Sequence, residues 1–291
     1  MAAPVKTALI TGANVGIGFE TAKALAEKGY MTVMASRNKE KGLAAKNRIK
    51  TMFPNAKVES VTFDLSDLDS VRDFSKKALD QGMALDVLVN NAGVMACPQM
   101  TTKDGFEYQI GVNHLGHFLL TQMLLDLMKD PARPARIVNV ASSAHLFGTI
   151  NFDDIMSEKS YDRWRAYGQS KLANILFTRE LSKRLGSDYA LTANTLHPGV
   201  VATELSRYLL PENIPWFLEP LLGLANNFLL TPEQGAQTSI YLASSPKVEG
   251  VSGDYFDSCK PTASSPESKD MNVAKKLWDL SLELTNVESA I

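Results

Sequence analysis

Two side chains one helical turn apart, Tyr167 and Lys171, are the first in this sequence with an evident chemistry. Four positions apart on a helix, they share a face. A phenol ionises near pH 10 when unperturbed, and a neighbouring ammonium draws that value toward neutrality, so the pair can pass a proton to and from an oxygen. Ser142 and Ser143 follow the apolar run Arg136-Ile137-Val138-Asn139-Val140-Ala141, and either hydroxyl could hydrogen-bond the same oxygen. A Tyr-x-x-x-Lys pair also arises by chance on many helices. Its meaning depends on what else the chain places around it.

A second constellation lies near the start. Thr11-Gly12-Ala13-Asn14-Val15-Gly16-Ile17-Gly18 follows a short apolar run and leads directly into a helical pattern. In that strand-turn-helix context Gly12 permits the turn, Gly16 lets backbone N–H groups approach a pyrophosphate, and Gly18 allows close packing of helix on strand. The spacing is GxxxGxG. At the end of the next apolar run, where a carboxylate would grip the ribose hydroxyls of NAD, stand Ser36 and Arg37. A guanidinium pairs with a 2′-phosphate through two hydrogen bonds, which favours NADP(H). The plainer alternative is that Arg37 opens a solvated basic helix with Lys39, Lys41 and Lys46.

The elements that must position these residues alternate regularly. Apolar runs at Thr7–Thr11, Met31–Ser36, Val58–Phe63, Leu85–Asn90, Ala135–Ala141 and Leu191–Leu196 predict strands. Between them, helical periods cover Gly16–Lys28, Lys39–Met52, Ser70–Leu79, Gly105–Met128 and Trp164–Leu185. Consecutive parallel strands need helical crossovers, so the expectation is an α/β, doubly wound parallel sheet of the Rossmann type, about seven strands with helices on both faces. The last third adds a helix beginning near Thr231-Pro232-Glu233, a short strand near Gly253–Phe256 and a terminal amphipathic helix at about residues 269–285. With no linker or repeat, residues 1–291 read as one domain.

Composition narrows the partners. Of 291 residues, 30 are basic and 32 acidic, a net charge of -2 that provides no field for nucleic acid. Cys97 and Cys259 make no disulfide framework, and the four histidines have no metal spacing, so no metal is expected. The apolar run Val5–Ile10 begins within a few residues of Met1, which predicts neither signal peptide nor transmembrane anchor and points to a soluble, cytoplasmic protein. The apolar stretch Ile214–Leu230 is broken by Pro215, Glu219, Pro220 and Gly223, too often to span a bilayer. It suits a substrate lid, at about residues 203–230, or a peripheral membrane contact.

Further motifs occur in order: Asp64-Leu65 after the third strand, Asn90-Asn91-Ala92-Gly93 at the end of the fourth, Asn113 in the long helix, Ser142 after the fifth, and Pro198-Gly199-Val200-Val201-Ala202-Thr203 after the sixth. Together with the glycine turn and Tyr167-x-x-x-Lys171, they make the sequence resemble the short-chain dehydrogenase/reductase family over nearly its whole length. Asn113-His114-Leu115-Gly116-His117-Phe118, the Asn151-Phe152-Asp153-Asp154 insertion and Lys276-Leu277-Trp278 resemble its retinol dehydrogenase and WW-domain oxidoreductase branch.

That resemblance implies an NADP(H)-dependent oxidoreductase. Thr11, Gly12, Asn14, Val15, Gly16, Ile17, Gly18 and Arg37 would hold the phosphates. Asp64 and Leu65 would meet the adenine, Asn91, Ala92 and Gly93 would line the cofactor, and Pro198, Gly199, Val201 and Thr203 would flank the nicotinamide. Ser142 would bind the substrate oxygen, Tyr167 would transfer the proton, Lys171 would lower the tyrosine pKa, and Asn113 would hold a relay water. Ser143 would be structural. The expected substrate is a hydrophobic aldehyde, ketone or alcohol, and the two long helices are the candidate face for a homodimer. A rival from another class is a cofactor-binding regulatory or scaffold protein that has lost turnover. A serine hydrolase built on Ser142, His145 and Asp153 lacks the G-x-S-x-G elbow.

Overall fold

The computed structural model describes residues 4–187, 189–201 and 229–291. Strands β1 (Thr7–Thr11), β2 (Met31–Ser36), β3 (Val58–Thr62), β4 (Val87–Asn90), β5 (Ala135–Val140), β6 (Leu191–Leu196), β7 (Tyr255–Asp257) and β8 (Lys260–Pro261) form one sheet in the order β3-β2-β1-β4-β5-β6-β7-β8. All neighbours are parallel except β7 and β8. The eighth strand, a two-residue return after the positive-φ pair Ser258 and Cys259, is the addition to the seven expected.

Alternation along the strands divides the core. Leu9, Leu88 and Ile137 point to one face, while Ala8, Ile10, Val87, Val89 and Val138 point to the other. The second face is covered by α1 (Gly16–Glu27) and α2 (Lys39–Met52). The first carries α3 (Leu68–Asp80), the long helix that contains Asn113, and α6 (Arg163–Leu185).

The long helix begins later than its hydrophobic period suggested and is not uniform. Gly105 sits at φ 85 and Glu107 caps the start, accepting from the N–H groups of Gln109 and Ile110. Then α4 (Tyr108–Ile110) gives way to a π-helical turn, Gly111–Leu115, before α5 (Gly116–Leu124) resumes. A π turn frees the usual i to i+4 pairing for other partners, and Asn113 lies inside this one.

Two helices complete the domain. In α7 (Pro232–Ser244), Thr231 and Gln234 form a reciprocal capping box with proline in the first turn. In α8 (Met271–Thr285), Asp270 caps the start, and Trp278 is buried against Phe118 and Phe177, ring centroids 5.1 and 5.8 Å away. Ser281 Oγ lies 2.9 Å from His114 Nε2. The C-terminal helix α8 thus packs against both α5 and α6. Among the described residues, no helix is long and apolar enough to cross a membrane. The expected lid falls almost wholly outside the described residues.

Candidate active site

The carboxyl ends of the central strands open into a cleft of about 910 Å³, lined by the glycine turn at one end and by Ser142, Tyr167 and Lys171 further along. This is where a doubly wound sheet binds ligands, because loops to opposite faces part there. Val15, the residue before α1, is extended and offers no side-chain cap, and the first turn of α1 holds no acid. The helix start thus keeps N–H groups and partial positive charge for an anion. Gly12 adopts φ 64 against Ala92, and a Cβ on Gly18 would stand 2.4 Å from the Gly12 carbonyl oxygen, so the turn needs both glycines.

Thr11 ties this turn to the next segment. Its Oγ1 accepts from the backbone N–H groups of Asn91 and Ala92, each at 2.9 Å, and Asn91 Nδ2 donates to the Thr11 carbonyl at 2.7 Å. His117 stands behind: Nδ1 is 3.1 Å from the Asn113 carbonyl oxygen, and Nε2 is 2.9 Å from Thr11 Oγ1. A carbonyl has no proton to give, so Nδ1 carries the hydrogen and Nε2 accepts from the threonine. Burial pushes this imidazole down to about 4, keeping it neutral. The cleft between these elements presents the uncapped N–H groups of the α1 start at the glycine turn.

Ser36, Arg37, Asp64 and Leu65 line the cleft where β2 and β3 end. Arg37 Nη1 donates to the Tyr108 hydroxyl at 2.8 Å, and its Nε lies 3.9 Å from Asp64 Oδ2. Tyr108 and Lys41 line the same region and were not singled out in the sequence. Lys41 belongs to the basic stretch set down as solvated; its place in the first turn of α2 could have flagged it.

The catalytic candidates come from three elements. Ser142 ends β5 in extended conformation, and its Oγ accepts from Ala144 N–H at 3.2 Å, which fixes the rotamer. The Tyr167 phenol lines the cleft with this residue. Burial pushes the phenol up, and Ser142 works against it. Lys171 Nζ lies 5.8 Å from the centre of the Tyr167 ring and donates to the Val140 carbonyl at 3.1 Å. Burial brings Lys171 down to about 8.

Asn113 is the one catalytic candidate that does not line the cleft. It is fully buried, with Oδ1 accepting from Val94 N–H at 2.8 Å and Nδ2 donating to the Val94 carbonyl at 3.0 Å and to Ser170 Oγ at 2.9 Å. Ser170 Oγ in turn donates to the Tyr167 carbonyl at 2.8 Å. The side chain braces the loop after β4 against α6.

Asn14, Val15, Gly16, Ile17, Gly93, Pro198, Gly199 and Val201 all line the cleft, whereas Thr203 lies outside the described residues. Ser143 is exposed at the rim of the cleft. The mouth beyond Ser142 is walled by Leu146, Phe147, Trp164 and Val200, exposed by 63%, 56%, 42% and 66%. The first two sit in a 3₁₀ turn, Ser143–Phe147, whose short length left no periodicity to read. Among the described residues, no group of three or more His, Cys, Asp or Glu side chains could hold a metal ion.

Comparison with known proteins agrees with this geometry. The profile of the family described as short chain dehydrogenase matches residues 6–213. Retinol dehydrogenase 14 of Homo sapiens is 49% identical over 290 residues, covering 95% of this chain and 85% of that protein. Retinol dehydrogenase 13 of Homo sapiens is 45% identical, covering 98% and 86%. Among solved structures, a putative uncharacterized protein from Mycobacterium Paratuberculosis superposes with a TM-score of 0.77 at 37% identity, covering 98% of this chain and 94% of that one. A putative NAD(P) dependent gluconate 5-dehydrogenase from Beutenbergia cavernae, with bound NADP, reaches 0.67 at 25% identity, covering 86% and 94%.

Proposed function

The chain belongs to the short-chain dehydrogenase family, in its retinol dehydrogenase branch, as an NAD(P)-dependent oxidoreductase, and we propose that it uses NADP(H) to interconvert a hydrophobic carbonyl compound and its alcohol. The observation that carries this reading is the convergence of Ser142, Tyr167 and Lys171 on one apolar-mouthed cleft that also contains the glycine turn.

The uncapped start of α1 would hold the pyrophosphate, with Arg37, Ser36 and Lys41 around the 2′-phosphate and no carboxylate at the end of β2 to repel it. Bound NADPH supplies the hydride. The rest is done by side chains. Ser142 Oγ, with one lone pair taken by Ala144 N–H, is set to donate its proton to a substrate oxygen. Tyr167, held protonated by burial, is an acid and gives its proton to that oxygen as negative charge develops, which favours carbonyl reduction. Lys171 supplies positive charge behind the phenol and offsets the charge left on it. Leu146, Phe147, Trp164 and Val200 exclude water from the reacting carbon and favour an apolar substrate. Retinal, the aldehyde of the alcohol in the relatives' names, is the natural first probe.

The test is titration of NADPH and NADH against wild type and Arg37→Ala, followed by NADPH oxidation with retinal and nonanal. Loss of a charge-assisted pair worth roughly 1.5–3 kcal/mol predicts about 10- to 100-fold weaker NADPH binding in the variant with NADH little changed. Equal binding of the two cofactors by wild type would sink the NADP assignment. Failure to oxidise NADPH with either aldehyde, with cofactor bound, would favour a non-catalytic binding protein.

A further inference from the structure

Close to the proposed proton donor lies a buried histidine that the mechanism does not use. His145 Nδ1 is 2.7 Å from the Ser142 carbonyl oxygen, and Nε2 receives the backbone N–H of Ser265 at 3.2 Å. The ring is 1% exposed and meets Tyr255 edge-on at 4.9 Å between centroids. Tyr255 is itself fixed, its hydroxyl 2.7 Å from His197 Nδ1. Ser265 belongs to a buried hydroxyl cluster: Ser268 Oγ donates to the Ser265 carbonyl at 2.6 Å and accepts from Ser264 Oγ at 2.7 Å, and Arg179 on α6 donates to Ser264 Oγ at 3.0 Å. The loop after β8 is thereby anchored to the helix that carries Tyr167 and Lys171.

We propose that His145 is a positioning residue that holds the Ser142 hydroxyl in place by tethering its turn to the Ser265 loop, an inference that rests on reading Ser142 as the substrate's hydrogen-bond donor. The geometry demands one state of the ring. A carbonyl must be given a proton, so Nδ1 bears it, and an N–H must find a lone pair, so Nε2 is bare. The Ser142 carbonyl then accepts twice, from Nδ1 and from His145 N–H at 3.1 Å. This closes the turn in which Ala144 N–H orients Ser142 Oγ. A hydrophobic side chain of equal size would fill the volume but leave the Ser265 N–H without its acceptor and the turn with one tie fewer.

The tether depends on pH, because a protonated ring would turn an Nε2–H against the Ser265 N–H. The titratable groups facing the ring are Tyr255 on β7, His197 after β6, Arg179 on α6 and Glu267 after β8. Burial is the largest influence and lowers the imidazole, with His197 and Arg179 acting the same way and Glu267 opposing. The intact state therefore holds at neutral pH and is lost on the acid side.

The experiment compares wild type, His145→Asn, His145→Phe and Ser142→Ala in NADPH oxidation with whichever of retinal or nonanal wild type reduces, across pH 5–9, alongside 15N NMR of the histidine tautomers. His145→Asn keeps a donor toward the Ser142 carbonyl and cannot titrate, whereas His145→Phe keeps only volume. The expected result is about a 10-fold fall in kcat for His145→Phe with NADPH binding unchanged, as for a small misplacement of a reacting group. His145→Asn should recover most of that kcat and lack the wild-type acid limb, and NMR should show the Nδ1–H form at His145. Wild-type kcat and an unaltered acid limb in the His145 variants, or an Nε2–H tautomer, would overturn the proposal. Where His145→Phe does not fold, the acid limb of His145→Asn and the tautomer still decide. If Ser142→Ala keeps full turnover, the reading of Ser142 fails and the His145 role falls with it; if Ser142→Ala is inactive while the His145 variants match wild type, only the His145 role fails.

Discussion

The Tyr167 phenol, on α6, and the Ser142 hydroxyl, two residues after β5, line one cleft in a setting where burial opposes the phenolate. Only one of them is built to lose a proton. Ser142 is oriented by a backbone N–H, and Tyr167 is the group with a cation behind it.

Replacing Tyr167 by Phe removes the proton donor without changing the volume. Turnover should fall by about 10²- to 10⁴-fold, the usual worth of a positioned acid, with NADPH affinity within about twofold of wild type. Single-turnover kinetics and fluorescence titration measure the two quantities separately. Loss of cofactor affinity with unchanged turnover would assign Tyr167 to binding.

Lys171 is buried with one backbone carbonyl as its hydrogen-bond partner, and burial brings it down to about 8 from the usual 10.5. Below about pH 8 both folded and unfolded chains carry the ammonium, and its burial costs stability in full. Between about 8 and 10.5 the unfolded chain binds more protons than the folded one, so this residue makes stability rise with pH. Lys171→Met should therefore be inactive yet more stable than wild type at pH 7, by on the order of 2 kcal/mol, a gap that closes toward pH 10. Urea unfolding at both pH values checks it, and a variant less stable at pH 7 would contradict the argument.

Asn113→Ala leaves the Val94 N–H and carbonyl without their side-chain partner in the interior. At roughly 1–3 kcal/mol for an unsatisfied buried group, the loss of stability should reach about 2–4 kcal/mol. Denaturant titration measures it. An unchanged midpoint with abolished turnover would favour the relay role and count against the bracing described above.

Phe147 and Trp164 stand at the mouth of the cleft, largely clear of the core. Truncating either to Ala should raise KM for a long apolar aldehyde by about 10-fold, consistent with roughly 1.5 kcal/mol of lost apolar contact, while a small water-soluble aldehyde is little affected. Equal effects on both substrates would show that these side chains do not sort by polarity.

Trp278→Ala opens a cavity between α8, Phe118 and Phe177 and should cost about 3–5 kcal/mol. Thermal unfolding followed by circular dichroism gives the value. A shift of less than about 1 kcal/mol would mean that α8 is loosely held.

The order of elements and the nucleotide turn could be read from sequence because both are local: Leu9 and Ile10 alternate between two cores, and Gly12 and Gly18 lie within one turn of the chain. The features that escaped depend on distant partners. Nothing near Asn113 announces that its amide is consumed by Val94 and Ser170, and nothing near Arg37 points to the Tyr108 hydroxyl. The π turn at Gly111–Leu115 leaves the apolar pattern intact, so periodicity read straight through it. Leu146 and Phe147 follow a serine in a 3₁₀ turn, where neither helical nor strand period applies. Lys171, four residues from Tyr167, is visible in sequence, whereas the burial that raises the phenol is not.

The packing of α8 on α5 and α6 bears on how the protein is made. His114 and Ser281, hydrogen-bonded to each other, are 167 positions apart in the chain. At synthesis rates of about 5–20 residues per second, the helix bearing His114 and Phe118 waits roughly 10–30 s before Trp278 exists to cover it. Late in that interval a nascent chain that already carries every group named for cofactor and proton transfer still shows an apolar wall to its surroundings. Its yield in a cell should thus depend on chaperone supply more steeply than its final stability would suggest.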